Sequence, residues 1–180
     1  MIRRCAAATL AWLLIVVTVG ASTGTIRVTP IIADGRVSAS FSALPLFDDD
    51  VRAVVGSGLL MTMTYTVDLK RASSVWWDRT VTSSTVAASV KFDTLTGAYQ
   101  VSKSQDGRVT WSERTDDIND VRSWMTTFDR VGLASGDHLE PNADYYVQVR
   151  MRASPRRTFS LWPFFGSDDG EGHADFTFIR

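Results

Sequence analysis

The sequence predicts a mainly β protein, an antiparallel two-layer β-sandwich with one short and one longer added α-helix. Three observations carry this. Tyr145, Val147, Val149 and Met151 alternate with Tyr146, Gln148, Arg150 and Arg152, the period of a strand with one buried face. A longer alternation sets Leu59, Met61, Met63, Tyr65, Val67 and Leu69 against Leu60, Thr62, Thr64, Thr66, Asp68 and Lys70, which is antiparallel in character. Strand-like runs separated by turn residues outnumber helical ones along the rest of the chain.

The N-terminus reads as a targeting segment. Arg3 and Arg4 precede an uncharged run from Cys5 to Gly20, and Val19-Gly20-Ala21 supplies a small-x-small cleavage site before Ser22. Residues 1–21 are therefore expected to be a signal peptide. Left uncleaved, residues 5–21 would instead be a membrane anchor, near the lower length limit for spanning a bilayer. Residues 22–180 are expected to form a single domain outside the cytoplasm, periplasmic or secreted, or held at the inner membrane by that anchor. Cys5 is the only cysteine and leaves with the leader, so a disulfide, a thiolate nucleophile and cysteine-ligated zinc are excluded from the remainder. Loss of Arg3 and Arg4 leaves 17 basic against 20 acidic residues, about −3. That sign speaks against a nucleic-acid partner.

Taken in order, Ile26 to Ser42 reads as a hairpin whose Asp34-Gly35 suits the positive φ angles of a type I′ turn. Ile32 then faces Val37, Pro30 faces Ala39 and Val28 faces Phe41, and Pro30, which cannot donate to a ladder, puts its strand at an edge or a bulge. Asp48-Asp49-Asp50 before Val51, Val54 and Val55, closed by Gly56 and Gly58, predicts a short helix with acids at its positive end. Three adjacent carboxylates cannot all face one cation, so the trio reads as a cap. The strand from Leu59 to Arg71 follows, its methionines core filling. Thr80 to Phe92 resumes as strand, with Ser84, Val86, Ala88, Val90 and Phe92 on one face. Val81 is out of phase there, which predicts a bulge near Ser83 and Ser84.

Tyr99 to Lys103 and Val109 to Glu113 form a second hairpin. A three-residue loop, Gln105-Asp106-Gly107 with Gly107 left-handed, would set Val101 against Trp111, whereas a two-residue loop would mix the faces. Ile118, Val121, Met125 and Phe128 have helical spacing behind Thr115-Asp116-Asp117, with Trp124 beside that stripe. Gly132 and Gly136 punctuate a loop into the Tyr145 strand, which ends near Pro155-Arg156-Arg157. A last hairpin, its tip around Ser167 to Gly172, joins Phe159, Leu161, Trp162, Pro163 and Phe164 to Phe176, Phe178 and Ile179.

The Leu139, Pro141, Tyr145 spacing is similar to the tyrosine corner of fibronectin type III and immunoglobulin-like sandwiches, where a tyrosine hydroxyl bonds back to the chain entering its strand. That likeness makes the expected sandwich immunoglobulin-like. Trp76-Trp77-Asp78-Arg79, the Leu139-to-Val149 stretch, Phe159-Ser160-Leu161-Trp162-Pro163 and Phe176-Thr177-Phe178-Ile179, in that order, resemble a family of small bacterial envelope proteins, domain of unknown function 4390. The resemblance implies export and carries no activity, cofactor or catalytic residue.

Trp76, Trp77, Asp78 and Arg79 form the first binding candidate, because adjacent aromatics in an extended connection cannot both point inward. An exposed ring beside a charged pair suits a protein partner or a sugar ring. The plainer reading has both rings closing the end of the sandwich, with Asp78 and Arg79 paired. Tyr146, Arg150 and Arg152, continued by Arg156 and Arg157, form a second candidate, a basic strip that would meet an acidic partner or lipid head groups. Its plainer reading is edge or surface charge that blocks sheet pairing. Asp168, Asp169, Glu171, His173 and Asp175 match no calcium-loop spacing and read as a solvated acidic loop, so no metal or cofactor is expected.

His138 and His173 stand in no nucleophile-elbow or His-Glu-x-x-His pattern, and no catalytic residue is assigned. The function expected from all this is a non-enzymatic, protein-binding or accessory module of the cell envelope. The alternatives are a glycan-directed binder or hydrolase and a membrane-anchored accessory to a sensor. Membrane contact is expected only through the N-terminal segment, if it stays uncleaved.

Overall fold

The alternation around Tyr65 builds the centre of the molecule. The structure, a computed structural model, describes residues 23–73, 77–154 and 170–179. Its elements in chain order are β1 (Thr23–Gly24), β2 (Arg27–Ala33), β3 (Arg36–Ser42), α1 (Asp49–Gly56), β4 (Met61–Arg71), β5 (Arg79–Asp93), β6 (Ala98–Gln105), β7 (Arg108–Thr115), α2 (Ile118–Thr126), β8 (Thr127–Ser135), β9 (Ala143–Ser154) and β10 (Gly170–Phe178). They form two antiparallel sheets packed sandwich-like, a larger one ordered β1-β10-β9-β4-β5-β6-β7 and a smaller one ordered β2-β3-β8.

Met61, Met63, Tyr65, Val67 and Leu69 of β4 are at most 1% exposed, and the methionines fill the core. The Tyr65 ring meets Phe41 and Phe128 of the smaller sheet at centroid distances of 5.0 and 5.2 Å. Its hydroxyl donates to the Met125 carbonyl at 2.9 Å, the partner a buried phenol needs, and burial holds its pKa well above the usual tyrosine range. Leu59 and Leu60 depart from the expected strand. They lie ahead of β4, 58% and 59% exposed.

The first hairpin has the expected register, Ile32 with Val37, Pro30 with Ala39 and Val28 with Phe41. Asp34 and Gly35 both have positive φ, and Pro30 lies on an edge strand. Asp48 caps α1, its carboxylate accepting from the Val51 amide at 3.0 Å. The β5 bulge falls at Val81, not at Ser83 and Ser84, since Thr82 faces Leu69 while Thr80 already faces Lys70. Bulging there leaves Ser84, Val86, Ala88 and Val90 in phase toward the core.

In the second hairpin Asp106 and Gly107 both have positive φ, which makes a two-residue turn, with Gln105 paired to Arg108. Gly107 is left-handed as expected, but the irregularity sits at Thr110, so Val101 faces Glu113 and Trp111 faces Lys103. The reason is Lys103. Its ammonium donates to the Thr127 carbonyl at 2.8 Å and lies 4.7 Å from the Phe128 ring centroid and 5.6 Å from that of Trp111, so a cation occupies a place expected to be apolar.

Helix α2 ends at Thr126, and Phe128 belongs to β8 and stacks on Phe41 at 5.0 Å. The stretch expected to be a loop through Gly132 is that strand, and Gly136 opens a short 3-10 turn, Gly136–His138. The tyrosine corner forms. The Glu140 amide donates to the Tyr145 hydroxyl at 2.9 Å, Leu139 is buried, and Pro141 sits in the exposed turn between them.

Gly170 to Gly172 are not a hairpin tip but the start of β10, paired with Met151 to Val149 of β9. A Cβ on Gly172 would lie 1.9 Å from the Ile26 carbonyl oxygen, so only glycine lets the chain cross between layers there. Pro155, Arg156, Arg157 and the Phe159 to Phe164 run lie outside the described residues, as do the first 22.

Candidate functional site

The outer face of the larger sheet brings the two binding candidates together. On β9, Tyr146, Gln148, Arg150 and Arg152 point away from the core, as their period requires. Register places Lys70 of β4 and Asp175 of β10 on either side of Tyr146, Asp68 and His173 beside Gln148, and Glu171 beside Arg150. The result is a mixed-charge patch across three strands.

The connection between β4 and β5 is tied onto this patch by Asp78. Tyr146 donates its hydroxyl hydrogen to one Asp78 oxygen at 2.8 Å, and the Ser73 amide donates to the other at 3.0 Å. These two hydrogen bonds, the Tyr146 one first, hold the Asp78 carboxyl below the usual range. Partial burial, reinforced by the Asp78 bond and charge, pushes Tyr146 up to about 12. The Lys70 ammonium lies 5.9 Å from the Tyr146 ring centroid, and the His173 ring meets that ring edge-on at 6.5 Å.

Trp77, next to this anchored aspartate, is 92% exposed. The reading in which both indoles close the sandwich end is therefore overturned for Trp77, while Trp76 lies outside the described residues. The expected Asp78–Arg79 pair does not form. Arg79 opens β5 opposite Arg71, whose guanidinium pairs with Glu140 at 2.6 Å.

Further along the face, Asp68 is only 4% exposed and accepts from the Ser83 hydroxyl at 2.6 Å and from the Arg150 guanidinium at 2.7 Å. Gln148 donates to the Glu171 carboxylate. Arg152 is exposed. Strand β9 lies between β10 and β4, so these arginines do not guard a sheet edge, and Arg150 neutralises a buried carboxylate instead.

Glu171, His173 and Asp175 alternate on β10 and do not share a loop, and Asp168 and Asp169 lie outside the described residues. Among the described residues no group of three or more His, Cys, Asp or Glu is arranged to hold a metal ion, and no helix is long and apolar enough to cross a membrane. His138 is exposed in its 3-10 turn.

The structure thus ties Asp78, and with it the Trp77 connection, to Tyr146, sets Arg150 and Arg152 further along the same face of β9, and leaves Arg79 aside. Reading the sequence missed Lys70, Asp68, Glu171 and Asp175 as part of one surface. The period-two alternation already put Lys70 and Asp68 on the solvent face of their strand, but nothing local says that β4 lies beside β9.

No curated protein and no solved structure matches the chain. Residues 21–157 match a family described as a domain of unknown function, DUF4390. The matched span takes in the β4–β5 connection and all of β9 but stops before β10. The chain belongs to the DUF4390 family.

Proposed function

We propose that this protein is a non-enzymatic, protein-binding module of the cell envelope, exported by its N-terminal segment, and that Trp77 is the anchor residue of its binding surface. One observation carries the reading. A tryptophan 92% exposed stands beside an aspartate fixed from two sides, by Tyr146 and by the Ser73 amide. Exposed indoles dominate protein interfaces because a large apolar surface is desolvated there, and an anchored neighbour lowers the backbone entropy that binding has to remove. The opposite charges of Lys70 and Asp175, which flank the Tyr146 that holds Asp78, supply a polar rim, which sets partner choice more than affinity.

Export is supported by Arg3 and Arg4 ahead of the uncharged run and by the small residues at 19 to 21. The mass of the protein isolated from its own cells tests this part. A mature chain beginning at Ser22 is expected, and an intact chain in the soluble cytoplasmic fraction would overturn it.

For the surface, Trp77→Ala is expected to abolish capture of the partner in intact cells while leaving the circular dichroism spectrum and melting temperature unchanged. Undiminished capture by the folded variant would remove Trp77 from the interface.

A further inference from the structure

The end of the sandwich remote from Trp77 carries a second surface of different chemistry. Strand β5 runs from Arg79 to Asp93, a rise of about 45 Å, with Trp77 before its start and Leu95 beyond its end. Leu95 is 95% exposed, and Leu59 and Leu60 are 58% and 59% exposed.

The two loops are neighbours. A Cβ on Gly58 would lie 3.5 Å from the Phe92 carbonyl oxygen and 3.6 Å from the Thr94 side chain, and Met61 pairs with Val90, which brings Leu60 level with Lys91. Ser57, Gly58 and Leu95 share the lining of one groove of about 560 Å³ with Lys91, Gln100 and Arg114. Those last three form a row across β5, β6 and β7 on the outer face. Neither the Lys91 ammonium nor the Arg114 guanidinium makes a hydrogen bond or a salt bridge among the described residues. Asp93, the acid in the lining of the groove, accepts from the Leu95 and Thr96 amides at 2.9 and 3.4 Å, and its charge also acts on Arg114.

We infer that this end is a docking surface for an anionic lipid bilayer. Lys91 and Arg114 meet the phosphate head groups, and Leu59, Leu60 and Leu95 enter the interfacial layer. Protruding leucines on adjacent loops have no core to join, and cations beside them fit a surface that is negative outside and apolar within. A protein partner would satisfy the leucines equally well, but the two cations beside them, neither held in a salt bridge and only Arg114 facing an acid, favour head groups. Docking this way would point the Trp77 end away from the membrane, toward a partner. The inference does not depend on the role proposed for Trp77.

The full chain with Cys5→Ser and Leu95→Cys, labelled on that cysteine with the polarity-sensitive fluorophore NBD, tests it. Phosphatidylglycerol vesicles are expected to blue-shift the emission and raise it several-fold, and phosphatidylcholine vesicles are not. The same label at Asp137→Cys, on the opposite end, is expected to stay unchanged in both. Lys91→Ala and Arg114→Ala should each weaken the phosphatidylglycerol response about five-fold. Leu59→Ser with Leu60→Ser should abolish it, melting temperature held.

An unchanged Leu95→Cys signal on vesicles that demonstrably carry the protein would overturn the inference, because the N-terminal segment would then account for binding. An equal response to both lipids would do the same. A rise with protein concentration alone would assign the leucines to contact between copies and overturn it as well.

Discussion

Tyr146 shows how one side chain joins two distant parts of the chain. Its hydroxyl reaches Asp78, 68 positions earlier, and burial first, with the carboxylate adding to it, keeps the hydroxyl protonated up to about 12. Asp78→Asn removes both the charge and the strongest acceptor. The Tyr146 pKa should then fall, yet stay above the usual value because burial is the larger cause, and an alkaline ultraviolet titration against Tyr146→Phe reads this. The sign for Asp78 itself is opposite. Its folded pKa is depressed, so its stabilising effect is full above the ordinary carboxylate range and is lost as pH falls through the folded value. Asp78→Asn should therefore flatten the acid limb of the stability curve, as measured by urea unfolding between pH 2 and 6, a window around the ordinary carboxylate pKa of about 4. Tyr145→Phe leaves the Glu140 amide without its acceptor and should cost about 1 kcal/mol in the same assay. That corner was legible in the Leu139, Pro141, Tyr145 spacing, since the bond it makes is local. The Asp78–Tyr146 bond was not, because it depends on which strand lies beside which.

At the scale of elements, strands with strict alternation were legible and junctions were not. Strand β4 and the β2–β3 hairpin follow from period two and from a turn dipeptide that tolerates positive φ. Helix α2 passes into β8 without a break, and Phe128 keeps helical spacing by coincidence while its ring is claimed by Phe41 and Tyr65. Tertiary packing overrode the local period there. In the second hairpin the register follows not the pairing of Val101 with Trp111 but Lys103. That side chain is half-buried, donates to Thr127 and sits against two rings.

Two substitutions test the packing of these elements. Met125→Ala, at a fully buried position on α2, should destabilise by about 2–5 kcal/mol. Gly172→Ala should do at least as much damage, since its methyl would overlap the Ile26 carbonyl, a backbone group that cannot yield cheaply. Thermal unfolding of both variants checks the order.

Across the whole molecule, the seven-stranded sheet offers a polar outer face, one end bearing Trp77 and the other bearing Leu59, Leu60 and Leu95. The sandwich and its two helices were readable from the sequence. The surface was not, because β9, β4 and β10 come from separate parts of the chain and only the sheet order makes Lys70, Tyr146 and Asp175 neighbours. The most direct test of the protein-binding reading places a photo-crosslinking benzoyl-phenylalanine at position 77 in living cells, with the same residue at position 137 as the control. A discrete adduct at 77 is expected. It should be absent at 137 and reduced when Asp78→Ala frees the connection. No adduct at 77, or equal adducts at both positions, would contradict the account.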